Sequence, residues 1–140
     1  MLPKISFVRL PHAVGLRLPA YTDGIGTTLP VYAACAASVK LGIGESALIP
    51  TGLIFALPLG AELQIRSSRA VSEDTGLIVL NAPATYDASS RDELKVLVQN
   101  TTDRTLVIRR GQEIASLVFA PVLRVTLDEV PVPTNAKKSS

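Results

Sequence analysis

Apolar residues in this chain come in short bursts of two-residue alternation, cut apart by proline and glycine. From Glu93 to Gln99, Leu94, Val96 and Val98 fall on one side and Glu93, Lys95, Leu97 and Gln99 on the other, the period of a half-buried strand. The polar run Asn100-Thr101-Thr102-Asp103 follows, then Leu106 and Ile108 alternating with Val107, which predicts a β-hairpin. Arg110-Gly111-Gln112 supplies a turn before a long apolar strand from Ile114 to Val122 that closes at Pro121. Earlier segments of the same kind run from Ile5 to Leu10, Ser46 to Ile49, Leu53 to Leu57 and Leu63 to Ile65. The ten prolines and nine glycines leave no interval suited to a helix of three or more turns. Many short strands joined by turns predict an all-β sandwich, barrel or jelly roll with few helices.

Length and composition sharpen that reading. A chain of 140 residues is the size of one domain, and folding it should bury roughly two-thirds of its unfolded surface. Hydrophobic residues make up 47% and charged residues 19%, enough apolar area to oppose chain entropy, so a disordered chain is excluded. With no Trp, three Tyr and three Phe, the core is aliphatic and a base-stacking nucleic-acid platform is not expected. A net charge of +2 with scattered basic residues offers no stripe for a phosphate backbone. No apolar stretch approaches the length of a membrane span, and the N-terminus lacks a secretory pattern, so a cytoplasmic protein with neither nucleic-acid nor membrane partners is expected.

Isolated chemistry-bearing residues add little. Cys35 has no second cysteine to pair with, and His12 cannot build a zinc site with it alone. A Ser-His-Asp triad would need His12, which lies in a proline-bounded segment with no evident partner. No metal site is expected from these residues. The segment from Val130 to Ser140, polar and proline-punctuated, divides the chain into a barrel domain, residues 1–129, and an extended arm, residues 130–140.

Three segments, taken in order, resemble the trimeric dUTPase family: Leu48-Ile-Pro-Thr-Gly52; Val79-Leu-Asn-Ala-Pro83 continuing to Asp87; and Arg110-Gly111 with Ile114 to Val122. Leu10-Pro11-His12 and Leu18-Pro19-Ala20-Tyr21 resemble the family's opening, and the likeness runs from Phe7 to about Val130. The resemblance implies a dUTPase-like jelly-roll β-barrel that assembles as a homotrimer, with sites built from neighbouring subunits. It also implies a chemistry in which a carboxylate activates water against a magnesium-bound triphosphate, releasing pyrophosphate.

Laid on that pattern, the chain departs from it at many motif positions. Where the family carries an aspartate on the metal side, Thr28-Leu29-Pro30-Val31 presents Pro30, which has neither a carboxylate nor an amide proton. Where the family has Pro-Arg-Ser-Gly for phosphates, the gapless match is Ser67-Ser68-Arg69-Ala70; Arg66-Ser67-Ser68 imitates the motif only with the register moved by two residues. In the third motif Asn81 matches the uracil-reading residue and Asp87 the water-orienting carboxylate. There Tyr86 replaces a smaller isoleucine, Ser90 a sugar-packing tyrosine, Ala84 and Asp92 two glycines. Asp87 also suits a purely structural turn, since aspartate bonds its own backbone there. Glu113 and Ser116 replace an arginine and a glutamine of the fourth motif, and no glycine-rich aromatic arm follows Val130.

These departures lead to the expectation of a non-catalytic trimeric scaffold without cofactor, a pseudoenzyme binding other protein subunits through its arms, such as a capsid decoration protein in a virion. The alternatives are a magnesium-dependent dUTP diphosphatase with a rearranged site and a nucleotide-binding sensor. For the enzyme the candidate catalytic residues are Asp87, Arg66 and Ser68; for a retained nucleotide pocket they are Asn81, Tyr86, Asp87 and Ser90.

Overall fold

The computed structural model describes residues 2–134, so the predicted arm, residues 130–140, lies partly outside them. The all-β expectation holds. Among the described residues, eleven strands form four small antiparallel sheets. In chain order they are β1 (Ser6–Arg9), β2 (Leu29–Tyr32), β3 (Val39–Leu41), β4 (Ser46–Pro50), β5 (Leu53–Ala56) and β6 (Ala61–Arg66). After the helix α1 (Arg69–Thr75) come β7 (Leu77–Val79), β8 (Ala84–Tyr86), β9 (Lys95–Asn100), β10 (Leu106–Ile108) and β11 (Glu113–Pro121). The largest sheet runs β2-β11-β6-β8, a second runs β4-β9-β7, and two ribbons pair β1 with β5 and β3 with β10.

One core lies between these layers. It is built from Val31, Leu41, Ile49, Leu63, Ile65, Leu77, Val96, Val98, Ile108, Ile114 and Leu117, with Phe55 and Tyr86 at one end. The alternation read from Glu93 to Gln99 is correct: Leu94, Val96 and Val98 are buried and their neighbours are not. On β11 the pairing with β2 shifts between Glu113 and Ala115. That bulge places Ile114 and Ala115 both inside before alternation resumes at Leu117.

The hairpin predicted across Asn100 to Asp103 does not form. Strand β9 pairs with β4 and β7, whereas β10 pairs with β3, so the connection is an arch between sheets. Asn100 is the reason. Fully buried, its side-chain amide donates to the carbonyls of Leu41 at 3.0 Å, Gly42 at 3.1 Å and Arg104 at 2.7 Å. Its Oδ1 accepts from the Thr102 amide at 2.8 Å and hydroxyl at 2.7 Å. One side chain thus satisfies the backbone of a corner that a ladder would otherwise serve.

The helix α1 is only about two turns long. Ser68 caps its start by accepting from the Val71 amide, and Gly76, at φ 76°, ends it with its amide on the Ser72 carbonyl.

The Thr51-Gly52 pair turns the chain from β4 into β5. Thr51 is buried and its hydroxyl donates to the Leu94 carbonyl at 2.6 Å. Gly52 sits at φ +72°, where a Cβ would stand 2.2 Å from the Ala13 Cβ. The 3-10 turn Pro11–Ala13 docks there, and the Leu10 amide donates to the Gly52 carbonyl at 2.7 Å.

Two stability measurements check this frame. Asn100→Ala strands the buried Leu41 carbonyl and the part-buried Gly42 and Arg104 carbonyls, and urea unfolding should show a loss of roughly 2–4 kcal/mol. Gly52→Ala combines left-handed strain with overpacking and should cost about 2–4 kcal/mol by the same measurement; an unchanged midpoint would show that the Ala13 contact is not tight.

Candidate functional site

Strands β7 and β9 are joined by an excursion that carries most of the sequence-selected residues. It leaves β7 through Leu80 and Asn81, passes a cis Ala82-Pro83 bond, runs as β8 alongside β6, and returns through an exposed loop, residues 87–92. Ile65 of β6 pairs with Ala84 and Leu63 with Tyr86. The excursion and the end of β6 enclose a hollow of about 390 Å³ lined by Asn81, Tyr86, Ser90, Arg91, Glu93 and Lys95 among others. Asn81, Tyr86 and Ser90 thus line one hollow, whereas Asp87, the fourth residue of the expected pocket, is not among its lining residues.

The loop hangs between two posts. On the entry side Tyr86 is buried, set edge-on to Phe55 at 6.2 Å between ring centroids. Its hydroxyl donates to the Asp92 carbonyl at 2.8 Å and lies against the Phe55 backbone, accepting from its amide at 3.2 Å. The bulk that replaces isoleucine is thus core and staple rather than an open ligand surface. On the exit side the Glu93 carboxylate accepts from the Gly52 amide and from His12 Nε2, each at 2.9 Å. Partial burial pushes the Glu93 carboxyl up, but His12, the Gly52 amide and the charge of Lys95 outweigh it and hold the group below the usual glutamate range. No motif comparison singled out Glu93 or His12 as partners, because 81 residues separate them.

Within the loop, Asp87 Oδ1 accepts from the hydroxyl of Ser89 and from its amide at 2.9 Å. These two bonds hold its carboxyl below the ordinary aspartate value. Ser90 closes the turn, its amide donating to the Asp87 carbonyl at 3.0 Å and its hydroxyl accepting from the Asp87 amide at 3.2 Å. Arg91 donates to the carbonyls of Ala88 and Ser90. Asp87 is exposed and ionised at neutral pH, a state suited to orienting a water or hydroxyl more than to strong proton abstraction.

The phosphate candidates lie elsewhere on the large sheet. Pairing across β2, β11 and β6 sets Pro30 opposite Ser116 and Ser116 opposite Arg66, so three motif positions form one row. Arg66 is exposed, donating to Gln64 Oε1 at 2.7 Å. Both serines beside it are committed to the protein. Ser67 accepts from the Val79 amide at 2.9 Å, and Ser68, buried, donates to Glu113 Oε2 at 2.9 Å while capping α1. Within the Arg66-Ser67-Ser68 set, Arg66 is exposed, Ser67 half-buried and Ser68 buried. Arg69 is taken by Glu73 at 2.9 Å along the helix. Among the described residues no cluster of three His, Cys, Asp or Glu side chains gathers for a metal ion, and Pro30 offers no carboxylate. The residues present do not fit a protein-held magnesium.

Comparison with known proteins fits this frame. A family model described as dUTPase matches residues 27–139. The deoxyuridine 5'-triphosphate nucleotidohydrolase of Rhizobium meliloti (strain 1021) is 40% identical over 131 residues, spanning 92% of this chain and 82% of that protein. The protein of the same name from Aquifex aeolicus (strain VF5) is 46% identical over 121 residues, spanning 86% and 81%. Among solved structures, the dUTPase from phage phi11 of S. aureus superposes with a TM-score of 0.81 at 19% identity, covering 95% of this chain and 99% of that one.

These relatives overturn the expectation of a non-catalytic scaffold, pseudoenzyme or capsid decoration protein, since chains this similar over most of their length are named as nucleotidohydrolases. The substitutions at Pro30, Ser90 and Glu113 therefore do not by themselves mark a chain without activity, and the excursion, its two posts and the hollow are present. The family model and the named relatives agree, and the chain belongs to the dUTPase family.

Proposed function

We propose that this protein hydrolyses deoxyuridine triphosphate to the monophosphate and pyrophosphate, as a homotrimer. The reading is carried by 40–46% identity, over most of both chains, to proteins named for that reaction. In this reading the base and sugar enter the hollow, where Asn81 reads the uracil edge and Ser90 stands beside the sugar, while the buried Tyr86 braces the loop from behind. Ser90 leaves room where a larger side chain would press on the sugar. Asp87 orients the attacking water, which adds to phosphorus as the bond to the pyrophosphate oxygen breaks and the water's proton is released.

Arg66 meets the phosphates as an exposed cation, and Arg91 and Lys95 add positive charge at the hollow. Ser68 contributes indirectly, holding Glu113 and the start of α1 in place. Magnesium belongs to the triphosphate rather than to a protein-built site.

Pyrophosphate release from dUTP, measured with magnesium against dCTP and dTTP as controls, tests the proposal. Turnover should be selective for dUTP, and Asp87→Asn should lower kcat by about 10²-fold or more with little change in dUMP affinity. A wild-type protein that releases no pyrophosphate from dUTP would defeat the proposal; an active Asp87→Asn would displace Asp87 from its role.

A further inference from the structure

The exit post of the 87–92 loop is itself anchored from an unexpected direction. Glu93 does not close on its own hairpin; its carboxylate reaches across to the N-terminal turn, where His12 meets it, and to the Gly52 amide beneath. His12 is in turn fixed through its backbone. Arg110, on the turn between β10 and β11, donates from one guanidinium nitrogen to the His12 carbonyl and from the other to Val14 at 3.1 Å. The same turn is seated by the Leu10 amide on Gly52 and by the close fit of Ala13 over Gly52. The imidazole therefore arrives at Glu93 from a rigid base, while the loop it faces is exposed at Asp87, Ser89, Arg91 and Asp92, packs Ala88 against the core and is stapled by the Tyr86 hydroxyl.

Glu93 lines the hollow and is contiguous with Asp92, whose carbonyl receives the Tyr86 hydroxyl. A shift of Glu93 is thus a shift of the loop's exit, and through Ser90 and Ser89 it reaches Asp87. His12 itself does not line the hollow, so it has no direct contact to offer a nucleotide there. The charged neighbours of the pair are Lys95 on β9, whose charge acts on Glu93, and Arg110, which is occupied with backbone carbonyls.

We propose that His12 is a positioning residue, acting through Glu93 to hold the 87–92 loop, and with it Asp87, in the geometry that hydrolysis requires. The inference rests on the dUTP-hydrolysis reading for its kinetic consequence, while its structural consequence stands without it. A glutamine at position 12 keeps a donor that reaches Glu93; alanine removes it, and asparagine keeps polarity but is too short.

Two measurements on the full chain decide the matter. Amide hydrogen exchange at residues 89–92, without nucleotide, should accelerate by about tenfold or more in His12→Ala and His12→Asn and return close to wild type in His12→Gln. Steady-state dUTP hydrolysis should show kcat reduced roughly tenfold in the first two variants, KM changed less than about threefold, and recovery in His12→Gln. Unchanged exchange in the loop, or an alanine variant with full kcat, would overturn the proposal, as would failure of glutamine to rescue. If the wild-type protein proves inactive on dUTP, the activity reading fails by itself and the exchange measurement alone upholds or rejects the His12 clamp. If His12→Ala does not fold, His12→Asn against His12→Gln supplies the same comparison.

Discussion

A loop that must be exposed to meet a ligand has few contacts of its own, so its geometry is set by what holds its two ends. Here Tyr86 and Glu93 do this by different means. Tyr86 buries a ring against Phe55 and spends its hydroxyl on backbone groups of β5 and of the loop's exit. Glu93 is a half-buried carboxylate that gathers one backbone amide and one imidazole. Both posts lean on β5 and the Thr51-Gly52 corner, which is also where the Leu94 amide and carbonyl bond the Leu53 carbonyl and the Thr51 hydroxyl. The corner therefore serves the barrel and the site together. A fault at Gly52 would be felt as lost stability and as a displaced loop.

The barrel was legible in the sequence wherever burial alone decides structure. Leu94, Val96 and Val98 face the core as their spacing predicts, and the long β11 ends at Pro121. Pairing was less legible. The run Asn100-Thr101-Thr102-Asp103 has the composition of a hairpin turn, yet Asn100 turns inward and its amide satisfies carbonyls from two separate segments. A local pattern reports that the chain turns, not which strand it will meet afterwards. The bulge at the start of β11 was also hidden, because Ile114 and Ala115 read equally well as either face of a strand.

The site divided along the same line. Asn81, Tyr86 and Ser90 were chosen by their place in a resembled motif, and a continuous stretch of chain delivers them to one hollow. Ser68 was chosen the same way, but its hydroxyl is used by Glu113 and the helix start, a fate set by the fold of α1 that no residue spacing announces. His12 and Glu93 were invisible as a pair because only tertiary structure brings them within 2.9 Å. A lost carboxylate at Pro30 and a lost aromatic at Ser90 are real chemical changes, but chains 40–46% identical over most of their length carry the name of the hydrolase.

The proposed hydrolysis requires that one nucleotide span the hollow beside Asn81 and the exposed guanidinium of Arg66. A crystal structure of the protein soaked with a non-hydrolysable deoxyuridine triphosphate analogue tests it most directly. The expected result is uracil hydrogen-bonded at Asn81, the sugar beside Ser90, and phosphate oxygens within reach of an Arg66 side chain. A nucleotide bound anywhere else, with the 87–92 loop unchanged and the hollow filled only by solvent, would contradict it.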